Sequence, residues 1–256
     1  MHIIVCIKSV ILKAPEGDKG RSNDLCELNP YDRPVLEKAI ELKEARGGKV
    51  TALSMGPDSS RFGLWEALAM GVDEAILLCD PALAGSDTLA TSLALSAAMK
   101  RLEPFDLVLF GTRTADSDTG QVGPQTGARL GIPMIGRVHG IEYREKSLRV
   151  ERTIDGFVER FDISLPAALT IHSGAVQPRD IALSGIEEAF VENRLALWRL
   201  ADIGLSPESV GEAGSGTVVR AMSRTQQTRI CEFIGGEAGE MADTLVFRLR
   251  ETGLIG

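Results

Sequence analysis

Residues Leu107–Pro133 read LVLFGTRTADSDTGQVGPQTGARLGIP, and the order of their chemistry decides the fold. Leu107–Phe110 is a short apolar run bounded by Asp106 and Gly111, the pattern of a strand buried on both faces of a parallel sheet. The loop behind it is rich in Gly, Thr and Asp, and Asp118 followed three residues later by Gln121 fits an Asx N-cap with a reciprocal Gln. That pairing predicts a helix from about Thr119, with its first backbone N–H groups facing the loop. Ligands of open α/β sheets bind outside the carboxyl ends of the strands, and a helix start placed there attracts phosphate. Gly120 and Gly123 would let a ligand approach the backbone, and the hydroxyls of Thr119 and Thr126 can donate to phosphate oxygens. Asp116 and Asp118 oppose an anion unless they cap, point outward or are offset by a basic group. The same spacing fits a plain strand–loop–helix crossover with no ligand. Walker A and a strict GxGxxG are both absent, so neither a P-loop ATPase nor a standard dinucleotide fingerprint is supported.

Working outward, His2–Ile7, Lys49–Met55 and Glu74–Cys79 repeat the buried-strand character. Between them Arg33–Ala45, Arg61–Met70 and Asp87–Leu102 carry apolar residues at spacings of three and four, which reads as helix packing on a sheet, Trp65 included. Alternating β and α elements predict an α/β fold with a doubly wound, mostly parallel sheet. After Pro133 the texture changes. Gly136–Tyr143, Ser147–Ile154 and Phe157–Leu165 are rich in alternating and β-branched residues, with turns at Arg144–Lys146 and Asp155–Gly156, and read as antiparallel strands added to that sheet. Ala167–Ile171 is a further buried strand, Ser173–Gly185 an exposed loop, and Gly211–Gly216 a flexible linker. The chain closes on an amphipathic helix, Glu240–Thr252, whose apolar face needs a partner surface. These textures divide the chain into an α/β domain over residues 1–192 and a C-terminal helical arm over 193–256.

The chain has 256 residues, 44% of them hydrophobic, so it can bury a sizeable core. A net charge of −8 with no basic cluster argues against nucleic acid and against anionic membrane as partners. With aromatics at 5%, a base-stacking platform is equally disfavoured. Cys6, Cys26, Cys79 and Cys231 are dispersed and without CxxC spacing, which points to reduced thiols and a cytoplasmic protein. The opening MHIIVCIKSV lacks the charged and apolar regions of an export signal, and no stretch reaches transmembrane length, so membrane insertion is not expected. His2, His139 and His172 are accompanied by neither a GxSxG elbow nor an HExxH pair, so no acid, base, nucleophile or metal ligand is expected among them.

Several blocks, taken in order, resemble the β subunit of electron transfer flavoproteins. They are IVCIKSV at the start, LNPYDRPVLEKAIELKE, ALSMGP, EALAMGVDEAILL, the Thr112–Pro133 loop, and VERTIDG followed by LPAALTI. The match runs over about the first 190 residues. The resemblance implies a flavodoxin-like, adenine-nucleotide-hydrolase-like sheet, electron carriage, and a heterodimer with an α subunit on which the C-terminal arm packs. It also implies an adenine nucleotide held by the β subunit. Carried over residue by residue, that site falls on Cys6, on Asn29, Pro30, Tyr31 and Asp32, on Met55, and on Thr114, Ala115, Asp116, Ser117, Asp118, Thr119, Gly120, Gln121, Val122, Gly123, Pro124 and Gln125. An Asn29 amide can bond a base or ribose edge, while Asn29–Pro30 alone also fits a helix N-cap followed by Pro at the first helical position.

Pro178–Glu188 resembles the segment with which this family docks dehydrogenases, acyl-CoA dehydrogenases among them, with Pro178 and Arg179 leading to Leu183 as apolar anchor. Here Glu187, Glu188 and Glu192 replace the lysine-rich continuation of the mitochondrial type, which implies a different partner. Shuttling members hold AMP in β, whereas electron-bifurcating members hold a second FAD there and oxidise NADH with it. The DSDTGQVGP wording is nearer the bifurcating type, so FAD is the expected nucleotide and AMP the alternative at the same site. A universal-stress-like ATP-binding module is the competing reading and a free-standing NAD-dependent dehydrogenase a weaker one.

Overall fold

Apolar runs buried on both faces set the architecture. The computed structural model describes residues 1–11, 26–144, 147–191, 194–218 and 231–255. In chain order the elements are β1 (His2–Cys6), β2 (Ser9–Ile11), β3 (Cys26–Leu28), α1 (Arg33–Arg46), β4 (Lys49–Met55), α2 (Arg61–Met70), β5 (Glu74–Leu78), α3 (Thr88–Arg101) and β6 (Leu107–Gly111). They continue with α4 (Val122–Leu130), β7 (Met134–Arg144), β8 (Ser147–Ile154), β9 (Phe157–Ser164), β10 (Ala167–Ile171), α5 (Leu183–Val191), β11 (Leu195–Trp198), α6 (Gly211–Gly214) and α7 (Ala238–Glu251).

One nine-stranded sheet runs in the order β11-β5-β4-β1-β6-β10-β7-β8-β9, and β2 and β3 pair with each other apart from it. From β11 to β7 every pairing is parallel, and β8 and β9 extend the sheet as antiparallel strands. The chain moves outward from β1 through β4 to β5 and then returns to place β6 on the other side of β1. The carboxyl ends of β1 and β6 therefore flank a topological switch point, where open α/β sheets form their ligand crevice. Alternate residues of the buried strands feed two cores. Ile3, Val5 and Leu109 pack with Leu36, Ile40 and Leu64 of α1 and α2, while Ile4, Leu53 and Val108 pack with Leu95 and Met99 of α3. This is the doubly wound α/β sheet with appended antiparallel strands that the sequence predicts.

Four expectations are corrected. β11 pairs in parallel with β5, Leu195 to Ala75 through Trp198 to Leu78, so the sheet continues past the boundary drawn at 192. One compact unit spans Met1–Val218 and a second Val219–Gly256. Gly211–Gly216 is no flexible linker. The Glu212 and Gly211 amides donate to the Ala84 carbonyl and the Ser86 hydroxyl, and a Cβ on Gly211 would lie 2.1 Å from the Ala82 carbonyl oxygen. The last residues of the expected 173–185 loop, from Leu183 on, open α5. The helix at Arg33 starts from Asp32 with Pro34 in its first turn, so Asn29–Pro30 forms the turn before it and not the cap. Glu192 lies outside the described residues.

In the second unit α7 forms close to its expected range, and Leu245, Val246 and Phe247 are exposed on it. No helix among the described residues is long and apolar enough to cross a membrane.

Leu109 is fully buried in the central strand β6. Leu109→Ala is expected to cost about 3–5 kcal/mol, through lost transfer energy plus the cavity left behind, read as a lower urea midpoint at unchanged m-value.

Candidate functional site

The site is built where β1, β4 and β6 end. Its centre is the side chain of Asn29, which is fully buried. Its Nδ2 donates to Asp32 Oδ1 (2.9 Å) and to the Arg113 carbonyl (3.0 Å), and its Oδ1 accepts the Ala115 amide N–H (3.2 Å). The Asn29 amide N–H donates to the Lys8 carbonyl (2.9 Å), and the Lys8 amide returns a bond to Asp32 Oδ2 (2.8 Å). Three segments distant in sequence, after β1, before α1 and after β6, are thus tied by one carboxamide and one carboxylate. A buried carboxamide with all these bonds made is worth far more to the fold than one left partly unpaired. It shapes the loop; its amide group is engaged by the protein and does not present an edge to a base.

Burial pushes the Asp32 carboxyl up to about 7, against the lowering influence of the Lys8 amide, the Asn29 amide and the Lys8 ammonium. Gly111 is required beside it, because a Cβ there would come within 2.4 Å of Asp32 Oδ1. Cys6 is buried on the opposite side of β1, and its thiol is pushed well up by burial and then by the nearby Asp32 charge, so it is an inert apolar group. Cys6, Met55 and Phe110 belong to the α3 face, where Val122 of α4 also packs.

The loop after β6 resolves the objection raised by its acids. Lys8 Nζ holds both carboxylate oxygens of Asp116, at 2.9 and 2.8 Å. Burial works to raise the Asp116 carboxyl, but Lys8, the Thr114 hydroxyl and the Ser117 amide outweigh it and keep it below the usual range. Arg113 lies 4.8 Å from the Tyr31 ring centre, donates to the Tyr31 hydroxyl (2.7 Å) and pairs with Asp118 (3.3 Å). Both offsetting cations belong to this chain.

Three loop assignments are corrected. Asp118 is not an N-cap: it sits at φ 53°, its amide donates to the Thr114 carbonyl, and α4 starts at Val122 from Gln121 without a side-chain cap. Thr126 is buried and its hydroxyl donates to the Val122 carbonyl (2.7 Å), so it does not reach a ligand. Gly123 serves close packing of α4 on the sheet, since a Cβ there would press within 3.2 Å of Phe110 and Thr170. Gly120, at φ 61° with the Thr112 carbonyl 3.0 Å from its would-be Cβ, is the glycine that the loop conformation demands. Pro30, Ser117, Thr119 and Pro124 are exposed. The Val122 and Gly123 amides precede the first bond of α4, Gln125 N–H to the Gln121 carbonyl (3.0 Å), and the Gln121 side chain accepts from the Thr88 hydroxyl (3.1 Å). Gln125 Oε1 is a buried acceptor without a partner among the described residues.

The second group of candidate residues lies on the face carrying α1 and α2. Leu183 is the first residue of α5 and is 74% exposed. Arg179 is engaged within the chain: its guanidinium bonds Glu37 at 2.9 Å and Glu44 at 2.8 Å, and its amide also donates to Glu37 (3.0 Å). Those bonds hold both carboxylates below the ordinary range, although burial works to raise Glu37. Arg179 thus fastens the segment that begins at Pro178 to α1. Sequence reasoning passed over the neighbours that complete this face. Phe62, Trp65, Ile186 and Phe190 line a groove of about 370 Å³ beside Leu183, with Trp65 5.4 Å from Phe62 and 5.1 Å from Phe190 between ring centres.

The ordinary aspartate value is 3.8, and Asp32 is raised to about 7 in the fold, so between those values the folded state binds a proton that the unfolded chain releases. Its contribution to stability therefore falls as pH rises from about 4 to about 7, by roughly 4 kcal/mol. Asp32→Asn is expected to remove that slope while placing an NH2 group against an amide donor, at a cost of about 1–3 kcal/mol. Urea titrations of both proteins across this range check it: a difference between them that is independent of pH would show that Asp32 is ionised throughout.

Residues 21–192 match the family model described as electron transfer flavoprotein domain. The electron transfer flavoprotein subunit beta of Thermoanaerobacterium thermosaccharolyticum is 36% identical, with all of both chains covered. The caffeyl-CoA reductase-Etf complex subunit CarD of Acetobacterium woodii is also 36% identical, again with both chains fully covered. Protein FixA of Azotobacter vinelandii is 34% identical over 97% of this chain and 94% of its own. Full-length similarity of this kind, on a mostly parallel doubly wound sheet, shows that the chain belongs to the electron transfer flavoprotein family, among its β-subunit and FixA members.

Proposed function

We propose that this chain is the nucleotide-holding subunit of an electron-carrying heterodimer, with an adenine nucleotide, FAD in preference to AMP, seated at the carboxyl ends of β1, β4 and β6. The observation that carries this reading is the loop after β6. It leaves the sheet at the switch point, its acids are neutralised by Lys8 and Arg113, and it delivers the early amides of α4 to the crevice. The orphaned acceptor Gln125 Oε1 fits a donor on the ligand, such as a ribose hydroxyl. Thr114–Gln121 and the Val122 and Gly123 amides would surround the phosphates. Cys6 and Met55 provide the apolar floor, and Asn29, Pro30, Tyr31 and Asp32 fix the loop against it. A bound flavin supplies the hydride and one-electron chemistry, and the protein supplies position, electrostatics and exclusion of water. No side chain here is required as an acid, base or nucleophile.

The partner that completes the carrier is an electron transfer flavoprotein α subunit, and it covers the apolar side of α7. The redox partner docks on Leu183 and the aromatic groove beside it, an exposed apolar patch of the kind transient interfaces use. Two relatives are named for reductases of CoA thioesters, caffeyl-CoA in one and acryloyl-CoA in the other, which supports a dehydrogenase of acyl-CoA type as the partner. Bifurcation of electrons from NADH follows if the nucleotide is FAD.

Coexpression with the α subunit, denaturation and chromatography of the released nucleotides tests the first part. Two FAD per heterodimer and no AMP is expected, one FAD with one AMP reduces the chain to a subunit of a simple shuttle, and neither nucleotide in β refutes the assignment of Thr114–Gln125. For docking, Leu183→Ala is expected to leave the unfolding midpoint unchanged and to lower kcat/KM for reduction by the dehydrogenase about 10- to 100-fold, the loss of one central apolar anchor. An unchanged kcat/KM places the interface elsewhere.

A further inference from the structure

A second cavity, of about 360 Å³, lies beyond the carboxyl end of β10 and is lined by Arg137, His139, Thr153, His172, Gly174 and Ala175. It shares no residue with the nucleotide crevice or with the docking face. Its key residue is held in an unusual way. Arg137 sits at φ 61°, a left-handed conformation that a long L side chain adopts at an energetic disadvantage. It does so where the register between β7 and β10 shifts, with its amide N–H donating to the Thr170 hydroxyl (2.8 Å). A bulge of this kind re-aims one side chain, and here it turns Arg137 into the cavity.

The charges around it sharpen the point. On the adjoining β8–β9 ladder Arg149 pairs with Asp162, Arg152 with Glu159 and Arg160 with Glu151. Among the described residues the Arg137 guanidinium has no carboxylate partner. Glu151, whose carboxyl is held below the usual range chiefly by Arg160 and in smaller part by His139, is already paired with Arg160. His172 Nδ1 accepts the Gly174 amide N–H (3.1 Å), which leaves the proton of the neutral ring on Nε2 as a donor. His139 Nε2 shares a hydrogen bond of 3.0 Å with the Thr153 hydroxyl, so that both are oriented by each other. A planar guanidinium flanked by imidazole and hydroxyl donors is complementary to an oxyanion with several acceptor oxygens.

We propose that Arg137, His139, Thr153 and His172 form an oxyanion-binding site for a small ligand that carries a phosphate or carboxylate group. The strained backbone is retained because it places a guanidinium that is unpaired among the described residues beside further donors.

The chain has three histidines, and His2 lies at the amino end of the central strand β1, the end of the parallel strands opposite to the cavity, so it is a built-in control. Inorganic phosphate titrated into the full chain, with the histidine ring protons followed by NMR, is expected to shift the His139 and His172 signals saturably while leaving His2 still. Arg137→Gln is expected to weaken that binding at least tenfold. Arg137→Gly relieves the left-handed residue, so it is expected to raise the unfolding midpoint while abolishing the shift, an outcome that a purely structural role for Arg137 would not give. Three histidines moving together without saturation, or saturable binding unchanged by Arg137→Gln, would overturn the proposal. The same titration on the complex with the α subunit, with histidine labelled in this chain alone, separates the sources. Retained binding supports a small ligand, and binding seen only in the free chain overturns it in favour of a carboxylate of the α subunit.

Discussion

The buried carboxamide of Asn29 is the constraint on which the crevice depends. It is a fully buried group that bonds at once to the turn before α1 and to the loop after β6, and through Asp32 it reaches the strand end at Lys8. Each of those loops is otherwise a surface segment with exposed backbone, and such segments are held by few contacts. Joining them through one fully buried polar cluster makes them rise or fall together. A substrate or nucleotide bound on the exposed side would then meet a preformed wall, and less of its binding energy would go into ordering loops.

The cluster also explains how an acidic chain can present a cradle suited to an anion. The chain carries a net charge of −8, and the crevice loop holds Asp116 and Asp118. Lys8 and Arg113 neutralise them locally, which leaves backbone amides and the helix start as the attractive elements. Cations engaged in this way serve loop shape first. The electrostatic attraction for the proposed ligand would come from dipoles fixed by the fold, which need no reorganisation when a ligand arrives.

Much of this was legible in the sequence, and the exceptions have identifiable causes. The central strands stood out because a strand buried on both faces must be apolar throughout, as Ile3–Cys6 and Leu107–Phe110 are. The helices on the two faces were legible through their apolar spacing. β11 was not, because it is a four-residue edge strand with two exposed positions, too short for a periodic signal. The start of α4 was misplaced because Asp118 has the composition of a cap and the conformation of a left-handed turn residue, two roles that local sequence does not separate. The ion pairs of Arg179 were not legible, because nothing local reveals a carboxylate 142 positions away.

The Arg179 ion pairs also organise the proposed docking face. Glu37 and Glu44 lie on α1, the helix that Asp32 begins, so Arg179 ties the segment leading to Leu183 to the same helix whose start the Asn29 cluster fixes. An exposed leucine contributes to a transient interface only if its backbone is already in place, because ordering a loop on contact would consume much of the small gain from one apolar side chain. The bidentate arginine supplies that order away from the contact surface, and it leaves Leu183, Ile186 and Phe190 uncovered. Helix α1 therefore runs from the wall of the crevice to the anchor of the proposed docking face. A rigid helix that bears on both sites holds their separation fixed, which electron transfer between a docked partner and a nucleotide at the crevice would require.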